Sequence, residues 1–237
     1  MDNNKAKKIV KAVFSAIKNA KSVAEIFSLL DSEPVLIRSK INTSKYPRIH
    51  FDITQREIEG LVKSKYLSSD YKLAISMESL KKESAFTKLL YSILWKNGDL
   101  GKEKHIIDGV LGSTKEDHSG LVFYHFGKYL GDPNKRQPIV DQHTLRAYGI
   151  YLCVENLIDR INSEISKKRK NSKKLDIEYY RKLSVTSKKE IYLINDYKAW
   201  IEQHHLYRHD DFVYVLDLVL FALGKAVKKV KEGGKND

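Results

Sequence analysis

The chain has almost no cysteine, and this scarcity narrows its chemistry at once. Cys153 is the single cysteine among 237 residues, so one chain cannot form a disulfide framework or a zinc site built from several cysteines. The lack of disulfides agrees with a reducing compartment, and we expect a cytoplasmic protein. Cys153 itself lies in an apolar stretch of helical pattern, where we expect a small core residue.

Long apolar runs are missing as well. The N-terminus has no apolar core of the signal-peptide kind. The longest apolar run, residues 212–227, is interrupted by Asp217, Gly224 and Lys225. A run so short and so broken does not span a bilayer. We therefore expect no membrane association and interpret this run as a buried core helix.

Strand signals are few, and apolar residues recur instead at helical spacing. Thr54 with Glu57, and Ser187 with Glu190, form capping-box pairs that predict helix starts. Residues 35–51 are less regular and form either a loop or a short hairpin. The helical patterns cover residues 9–17, 26–30, 58–62, 84–97, 121–130, 141–161, 191–200 and 212–227. The sequence thus predicts an all-α, or nearly all-α, fold.

Charge and composition suggest how the chain is divided. We predict an N-terminal helical region over residues 1–80 and a second helical region over residues 81–237, with a basic insertion at 162–186. Residues 166–174 hold six basic side chains and no acid. Two interpretations stay open for this segment: a solvated linker, or a phosphate-binding loop that uses Lys167, Lys168, Arg169 and Lys170.

Positive charge is in clear excess. The chain has 43 lysines and arginines against 30 aspartates and glutamates, a net charge of +13. Such an excess favours a polyanionic partner, because neutralising phosphates releases counterions. A membrane surface, an acidic protein, or a lysine-rich surface that only reflects genome composition are the alternatives. We expect a nucleic acid as the partner.

The usual catalytic signatures are absent, with no Walker-type loop, dinucleotide glycine fingerprint or Ser-His-Asp pattern. One dense polar cluster consists of His204, His205, His209, Asp210 and Asp211. On a helix, the second and third histidines would share a face, as in two-ligand metal sites. The alternative is a polar turn in which either aspartate caps the following helix. We expect the turn, and therefore no metal.

The most informative stretch is residues 127–146. Here Pro138, Ile139 and Val140 lead into Asp141, which opens a predicted helix. An aspartate at an N-cap accepts hydrogen bonds from backbone N–H groups and faces the positive end of the helix dipole, which favours its ionised form. Such a carboxylate either only caps the helix or has a catalytic role, in which it stabilises developing positive charge or activates a water molecule.

Residues 138–146, Pro-Ile-Val-Asp-Gln-His-Thr-Leu-Arg, resemble the catalytic segment of the helix-hairpin-helix DNA glycosylases. The match keeps the proline, the apolar pair, Asp141, His143 and Arg146. Upstream, residues 110–116 stand where that family has its DNA-binding hairpin, and they keep one of its glycines, Gly112. The resemblance covers residues 110–151.

The resemblance implies a helical glycosylase-like fold with an N-terminal helical extension, and an enzyme that flips a base out of DNA and cuts its N-glycosidic bond. Asp141 would stabilise the oxocarbenium-like sugar or guide the attacking water. His143 would hold the DNA backbone or Asp141, and Arg146 would anchor the helix. Gly112 would approach a DNA phosphate. No organic cofactor is expected.

The chain differs from part of the family at the position of the lysine nucleophile. Family members that also nick the strand carry a lysine where this chain has Glu116, with Lys115 one position away. Base removal without strand cleavage is therefore expected, although a one-residue shift would restore the lysine.

Trp95 and Asn97 would lie near the flipped base, unless Trp95 is an ordinary core aromatic residue.

The sequence thus predicts a DNA N-glycosylase-like hydrolase that removes a damaged or modified base from duplex DNA, in DNA repair or phage defence. Two other classes stay open: a non-catalytic nucleic-acid-binding protein, and a metal-dependent phosphohydrolase built on the histidine cluster. The residues specify neither the base, nor the base opposite it, nor the oligomeric state.

Overall fold

A computed structural model describes residues 1–113, 120–168, 175–183 and 190–229. These residues form thirteen helices and, apart from one isolated bridge between Leu67 and Leu73, no β-structure. The all-α prediction is confirmed for this part of the chain. The helices are α1 (Asn3–Asn19), α2 (Val23–Ser32), α3 (Pro34–Ile37), α4 (Gln55–Lys63), α5 (Met77–Lys82), α6 (Ala85–Asn97), α7 (Glu103–Val110), α8 (Leu121–Gly131), α9 (Gln142–Val154), α10 (Ile158–Lys168), α11 (Ile177–Lys182), α12 (Glu190–Glu202) and α13 (Phe212–Ala226).

Local capping signals set several of these helix ends. Before α4, the Thr54 hydroxyl accepts the Glu57 N–H at 3.3 Å, and the Glu57 carboxylate accepts the Thr54 N–H at 2.7 Å. This is the capping box that the sequence predicted. Helix α6 ends at Gly98, whose φ of +69° lies in the left-handed region that suits glycine. The second predicted pair is not tested, since Ser187 lies outside the described residues.

Two predicted segments differ in the structure, and a third has one of the two forms expected for it. The single helix expected over residues 141–161 is two helices, α9 and α10, separated at residues 155–157, where Asn156 has a φ of +57°. Of the two forms left open for residues 35–51, the structure shows the loop, which follows the end of α3. The first part of the basic segment continues α10 as far as Lys168. Propensity alone does not reveal a left-handed residue inside a helical pattern.

The chain divides into two compact units. Unit 1 comprises Met1–Ile49 and Lys135–Asp237, and unit 2 comprises His50–Asn134. The boundary near residue 80 that the sequence suggested therefore falls inside unit 2. Unit 1 combines the two ends of the chain, so a division read along the sequence does not reproduce it.

Unit 1 is built around α9 and α13, which pack directly on each other, with α1 and α11 also packed on α9. A Cβ atom added at Gly224 of α13 would lie 1.8 Å from the carbonyl oxygen of His143 in α9. Only glycine allows this approach. On the α1 side, the rings of Phe14 and Tyr151 stack with their centroids 4.1 Å apart. Helix α13 is largely buried, as predicted for residues 212–227.

Unit 2 depends on close packing between α7 and α8. A Cβ atom at Gly109 would lie 2.0 Å from the Tyr124 carbonyl oxygen, and one at Gly127 would lie 2.0 Å from the Ile106 carbonyl oxygen. The rest of the unit is less well packed, and no residue of α6 is buried. A small separate cluster holds Ile58, Leu67 and Ile107.

None of the helices in the described ranges is long and apolar enough to cross a membrane.

Candidate functional site

Asp141 occupies the predicted N-cap of α9. Its backbone is extended, with φ −130° and ψ 175°, and its Oδ1 atom accepts the Thr144 N–H at 2.7 Å. The carbonyl oxygen of Asp141 accepts the Leu145 N–H at 3.0 Å, which starts the helical ladder. Thr144 and Leu145 are buried, so these bonds are shielded from water. The carboxyl group is therefore held in one orientation by the first turn of the helix.

The electrostatic environment of Asp141 differs from the sequence-based expectation. Burial raises the pKa of its carboxyl group above the ordinary value, and the hydrogen bonds from Thr144 and His143 and the charge of Arg146 only oppose this rise. The capping bonds act in the expected direction, but desolvation is the larger effect. Asp141 is half-buried, so the carboxyl group is more basic than an exposed one without being sealed in the core.

A second carboxyl group, Asp217 of α13, belongs to the same site. Its Oδ2 atom accepts the Ile139 N–H at 2.7 Å, and its Oδ1 atom accepts the Tyr197 hydroxyl at 3.0 Å. Asp217 therefore fixes the backbone two residues before Asp141. Burial raises the pKa of Asp217 well above its ordinary value, and the neighbouring charge of Asp141 raises it further.

Sequence reasoning noted Asp217 only as an interruption of an apolar run. An acidic residue inside such a run was the available signal, because a carboxyl group is rarely buried without hydrogen-bond partners. The partner, Ile139, is 78 residues away in the chain.

Arg146 lies one turn into α9 and is fully buried. Its Nη1 atom donates to His143 Nδ1 at 2.7 Å and to the Gly224 carbonyl oxygen at 2.9 Å, while Nη2 donates to the Leu183 carbonyl oxygen. Burial lowers the pKa of Arg146 to about 10, although the charge of Asp141 opposes this. Both Nη atoms donate to protein atoms, so Arg146 anchors α9 to α13 and to the end of α11. Its Nε atom is buried and has no hydrogen-bond partner among the described residues.

The hydrogen bond from Arg146 to His143 fixes the tautomer of the imidazole. Arginine can only donate, so His143 Nδ1 must be the acceptor and the proton must sit on Nε2. Burial, together with the positive charges of Arg146, Lys228 and Lys225, lowers the pKa of His143 to about 4. The imidazole is therefore neutral at physiological pH. Within the described residues its Nε2–H has no hydrogen-bond partner, so this group can donate to a ligand.

The other predicted substrate-binding residues belong to unit 2. Trp95 in α6 is 66 % exposed, so its interpretation as a core aromatic residue is wrong. Asn97 is the exposed last residue of α6. Gly112 follows α7 in a turn, with a φ of +65°. Lys115 lies outside the described residues.

The basic segment is described only in part. The backbones of Lys167 and Lys168 complete α10, and Arg169 and Lys170 lie outside the described residues. The phosphate-binding role predicted for these four residues therefore stays a prediction.

The histidine cluster is not helical. Residues 203–211 form successive turns, so the i, i+4 spacing of His205 and His209 does not place them on one helical face. The His204 Nε2 atom lies 3.1 Å from the Ile17 carbonyl oxygen, and the His205 Nε2 atom lies 3.0 Å from the Ala20 carbonyl oxygen. Both imidazoles thus bind the C-terminal end of α1.

Asp211 precedes α13 at the N-cap position, but its carboxylate forms an ion pair with Arg48 and does not cap the helix. Across the described ranges, no group of three or more histidine, cysteine or acidic side chains is arranged to hold a metal ion. His205 and His209 therefore do not form the pair of ligands on one helical face that their spacing suggested.

Cys153 lies in α9 and is half-buried, so it is less buried than the core position expected for it.

Taken together, unit 1 presents an oriented carboxyl group of raised pKa, with an imidazole N–H donor two residues away and a second carboxyl group behind it. Such a group can accept a proton from water or stabilise a nearby positive charge. No protein-family model matches the chain, and no curated protein and no solved structure matches it significantly.

Proposed function

We propose that this chain is a DNA N-glycosylase that removes a damaged or modified base and uses Asp141 as its catalytic carboxylate. The observation that carries the proposal is the arrangement of Asp141 itself. Its carboxyl group is half-buried, fixed by the Thr144 N–H at 2.7 Å, and raised in pKa by burial. The resemblance of residues 138–146 to the glycosylase catalytic segment and the charge of +13 support the same conclusion.

The reaction needs a general base and a negative charge at the same position, next to the C1′ atom of the sugar. As the bond between C1′ and the base nitrogen breaks, the base leaves with the bonding electrons and positive charge develops on the sugar. A water oxygen then bonds to C1′, and one proton of that water passes to the Asp141 carboxylate and from there to the nitrogen of the departed base, so that the carboxylate is regenerated. The products are free base and DNA with an intact abasic sugar. A fixed carboxylate in a poorly solvated position stabilises that charge most in the transition state.

The raised pKa of Asp141 suits this role. A general base works best when its pKa approaches the working pH, because it is then both ionised and able to take a proton. An exposed aspartate is a weak base at neutral pH, and burial moves Asp141 in the useful direction. In the proposed complex, the Nε2–H of His143 would donate to a phosphate oxygen of the bound strand.

Base excision by the wild type and by Asp141→Asn tests the proposal. Asparagine caps helices about as well as aspartate, so the fold and the DNA affinity should be retained. Excision should fall by about two orders of magnitude or more, the scale expected when one electrostatic group is lost from a transition state. The substrates are duplexes with damaged, mismatched or glycosylated bases, assayed for alkali-labile sites.

Asp176→Asn is the matched control. Asp176 is also an N-cap aspartate, accepting the Tyr179 N–H at 2.8 Å before α11, but it is exposed. This variant should excise bases like the wild type. Equal activity in Asp141→Asn and the wild type would exclude the proposed mechanism. DNA binding with no excision from any duplex in the panel would instead favour a non-catalytic nucleic-acid-binding protein.

The proposed mechanism also specifies the product. With no lysine assigned as a nucleophile, the DNA should keep intact abasic sites that break only on heating or in alkali. Strand nicking without alkali would show that an amine attacks the sugar, and Lys115 is the first candidate to replace. Borohydride trapping of a protein–DNA adduct would identify such an amine directly.

A further inference from the structure

Helix α1 carries an unusual set of charges. It contains five lysines and no acidic residue, and all five lysines are exposed, whereas Val10, Phe14 and Ile17 on the opposite face are buried. None of these lysines forms an ion pair with an acidic side chain in the described part of the chain. The five are Lys5, Lys7, Lys8, Lys11 and Lys18.

The C-terminal end of α13 adds two lysines beside the proposed catalytic segment. Gly224 touches the backbone of His143, and Lys225 follows it directly. Lys225 and Lys228 are exposed, and neither is ion-paired within the described ranges. Their charges also contribute to the lowered pKa of His143, as expected from such proximity. Lys229, by contrast, forms an ion pair with Glu178 at 2.7 Å.

Arg181 of α11 joins these two basic regions. Its Nε atom donates to the Val227 carbonyl oxygen at 3.0 Å, and its Nη1 atom donates to Asn3 Oδ1 at 2.6 Å. Its Nη2 atom donates to the Met1 carbonyl oxygen. Because Arg181 is buried, these bonds form a fixed clamp. The first turn of α1 and the end of α13 are therefore neighbours.

From this arrangement we infer that the DNA phosphate backbone docks on one basic face of unit 1, which continues from His143 across the end of α13 onto the start of α1. The basic face consists of Lys225, Lys228, Lys5, Lys7, Lys8 and Lys11. The inference rests on the proposed function, since it takes DNA as the partner. Its argument is charge complementarity: lysines without ion pairs neutralise phosphates and release counterions.

The charge distribution of the chain points the same way. Unit 1 holds 31 lysines and arginines against 18 aspartates and glutamates, whereas unit 2 holds 12 of each. The whole excess of +13 therefore belongs to the unit that contains Asp141. The Nε2–H of His143 adds a donor at the edge of the basic face, where a phosphate oxygen next to the flipped nucleotide would accept it.

Two double variants and one matched control test the basic face. Lys225→Gln/Lys228→Gln and Lys7→Gln/Lys8→Gln each remove two charges, and glutamine preserves the helices. The control, Lys81→Gln/Lys82→Gln, removes two exposed charges from the end of α5 in unit 2. Binding of the full-length protein to an undamaged 20-base-pair duplex is measured by fluorescence anisotropy over a range of salt concentrations.

Each basic-face variant should weaken binding about tenfold and reduce the slope of log affinity against log salt by roughly 2, since each phosphate contact contributes about 0.9. The control should keep the wild-type slope. Equal losses in the control and the basic-face variants, or no binding by the wild type in dilute buffer, would overturn the inference. The binding assay does not depend on excision. If the salt slopes change as expected but the wild type excises no base, only the proposed chemistry is contradicted.

Discussion

The two units differ in how many apolar side chains they bury and in the net charge they carry. In the described residues, unit 1 buries 37 apolar side chains and unit 2 buries eight, whereas twelve of the seventeen exposed large apolar side chains belong to unit 2. Unit 1 also carries the entire net charge. The larger core and the whole net charge therefore both belong to unit 1.

Unit 1 also buries charged groups that connect segments distant in sequence. Unit 1 encloses Arg146, Arg181 and Asp217, and each is hydrogen-bonded to backbone atoms of a segment distant in sequence. Buried charged groups are tolerated only with such partners, and they fix one arrangement of the chain around them. Unit 1 is thus the part of the molecule in which a side chain such as Asp141 can be held rigidly.

The largest expected contrast is in hydrogen exchange of two helices of equal length. Helices α6 and α9 each have 13 residues, but α6 buries none, whereas residues 144–152 of α9 are all buried. Exposed helices open locally at little cost in free energy, and core helices open only with large parts of the fold. Amides of α9 should exchange about a thousandfold more slowly than those of α6, or slower still, measured by mass spectrometry. Similar protection in both helices would mean that α6 is covered in solution.

A pair of glycine substitutions gives the next largest effect. Gly224→Ala would place Cβ 1.8 Å from the His143 carbonyl oxygen, which belongs to the backbone and cannot move cheaply. We expect a loss of about 3 kcal/mol in the free energy of unfolding, as for severe overpacking. Gly60→Ala in α4 of unit 2 meets nothing within 4 Å and should stabilise the protein by about 0.5 kcal/mol. Urea unfolding checks both values, and a neutral Gly224→Ala would contradict the close approach of α9 and α13.

The smallest expected effect is in the pH dependence of stability, which should have opposite signs at Asp217 of unit 1 and at Asp70 of unit 2. Burial raises the pKa of Asp217 in the folded state, so the native protein holds a proton that the unfolded chain releases. The stability of the wild type relative to Asp217→Asn should therefore fall as pH rises above the unfolded pKa of 3.8.

Asp70 in unit 2 is the opposite case. Hydrogen bonds from Lys72 and Ser68 lower its pKa to about 2. The stability of the wild type relative to Asp70→Asn should therefore rise with pH between about 2 and 3.8, and then level off. Thermal unfolding of the three proteins from pH 2 to 8 measures both trends. The same sign for both variants would show that Asp217 is not desolvated.

The sequence by itself determined most helix positions and the place of Asp141. The capping residues at the helix ends interact only with the nearby backbone, so the sequence alone reveals them. They are Thr54 with Glu57 at α4, Ser84 and Gly98 at the two ends of α6, and Asp141 with Thr144 at α9. The apolar pattern of residues 212–227 was likewise enough to predict a buried helix, because exposing so many apolar side chains to water would cost free energy. Net charge needed only the composition.

The tertiary structure alone decided which side chains surround Asp141 and how its pKa shifts. Asp217 reaches Ile139, and Arg146 reaches Gly224, across 78 residues in each case. It also decided that the apolar pattern of α6 stays exposed, and that the two ends of the chain form one unit. Periodicity identifies an apolar face, but not what covers it. Burial and desolvation depend on which helices pack together, and that is a property of the whole fold.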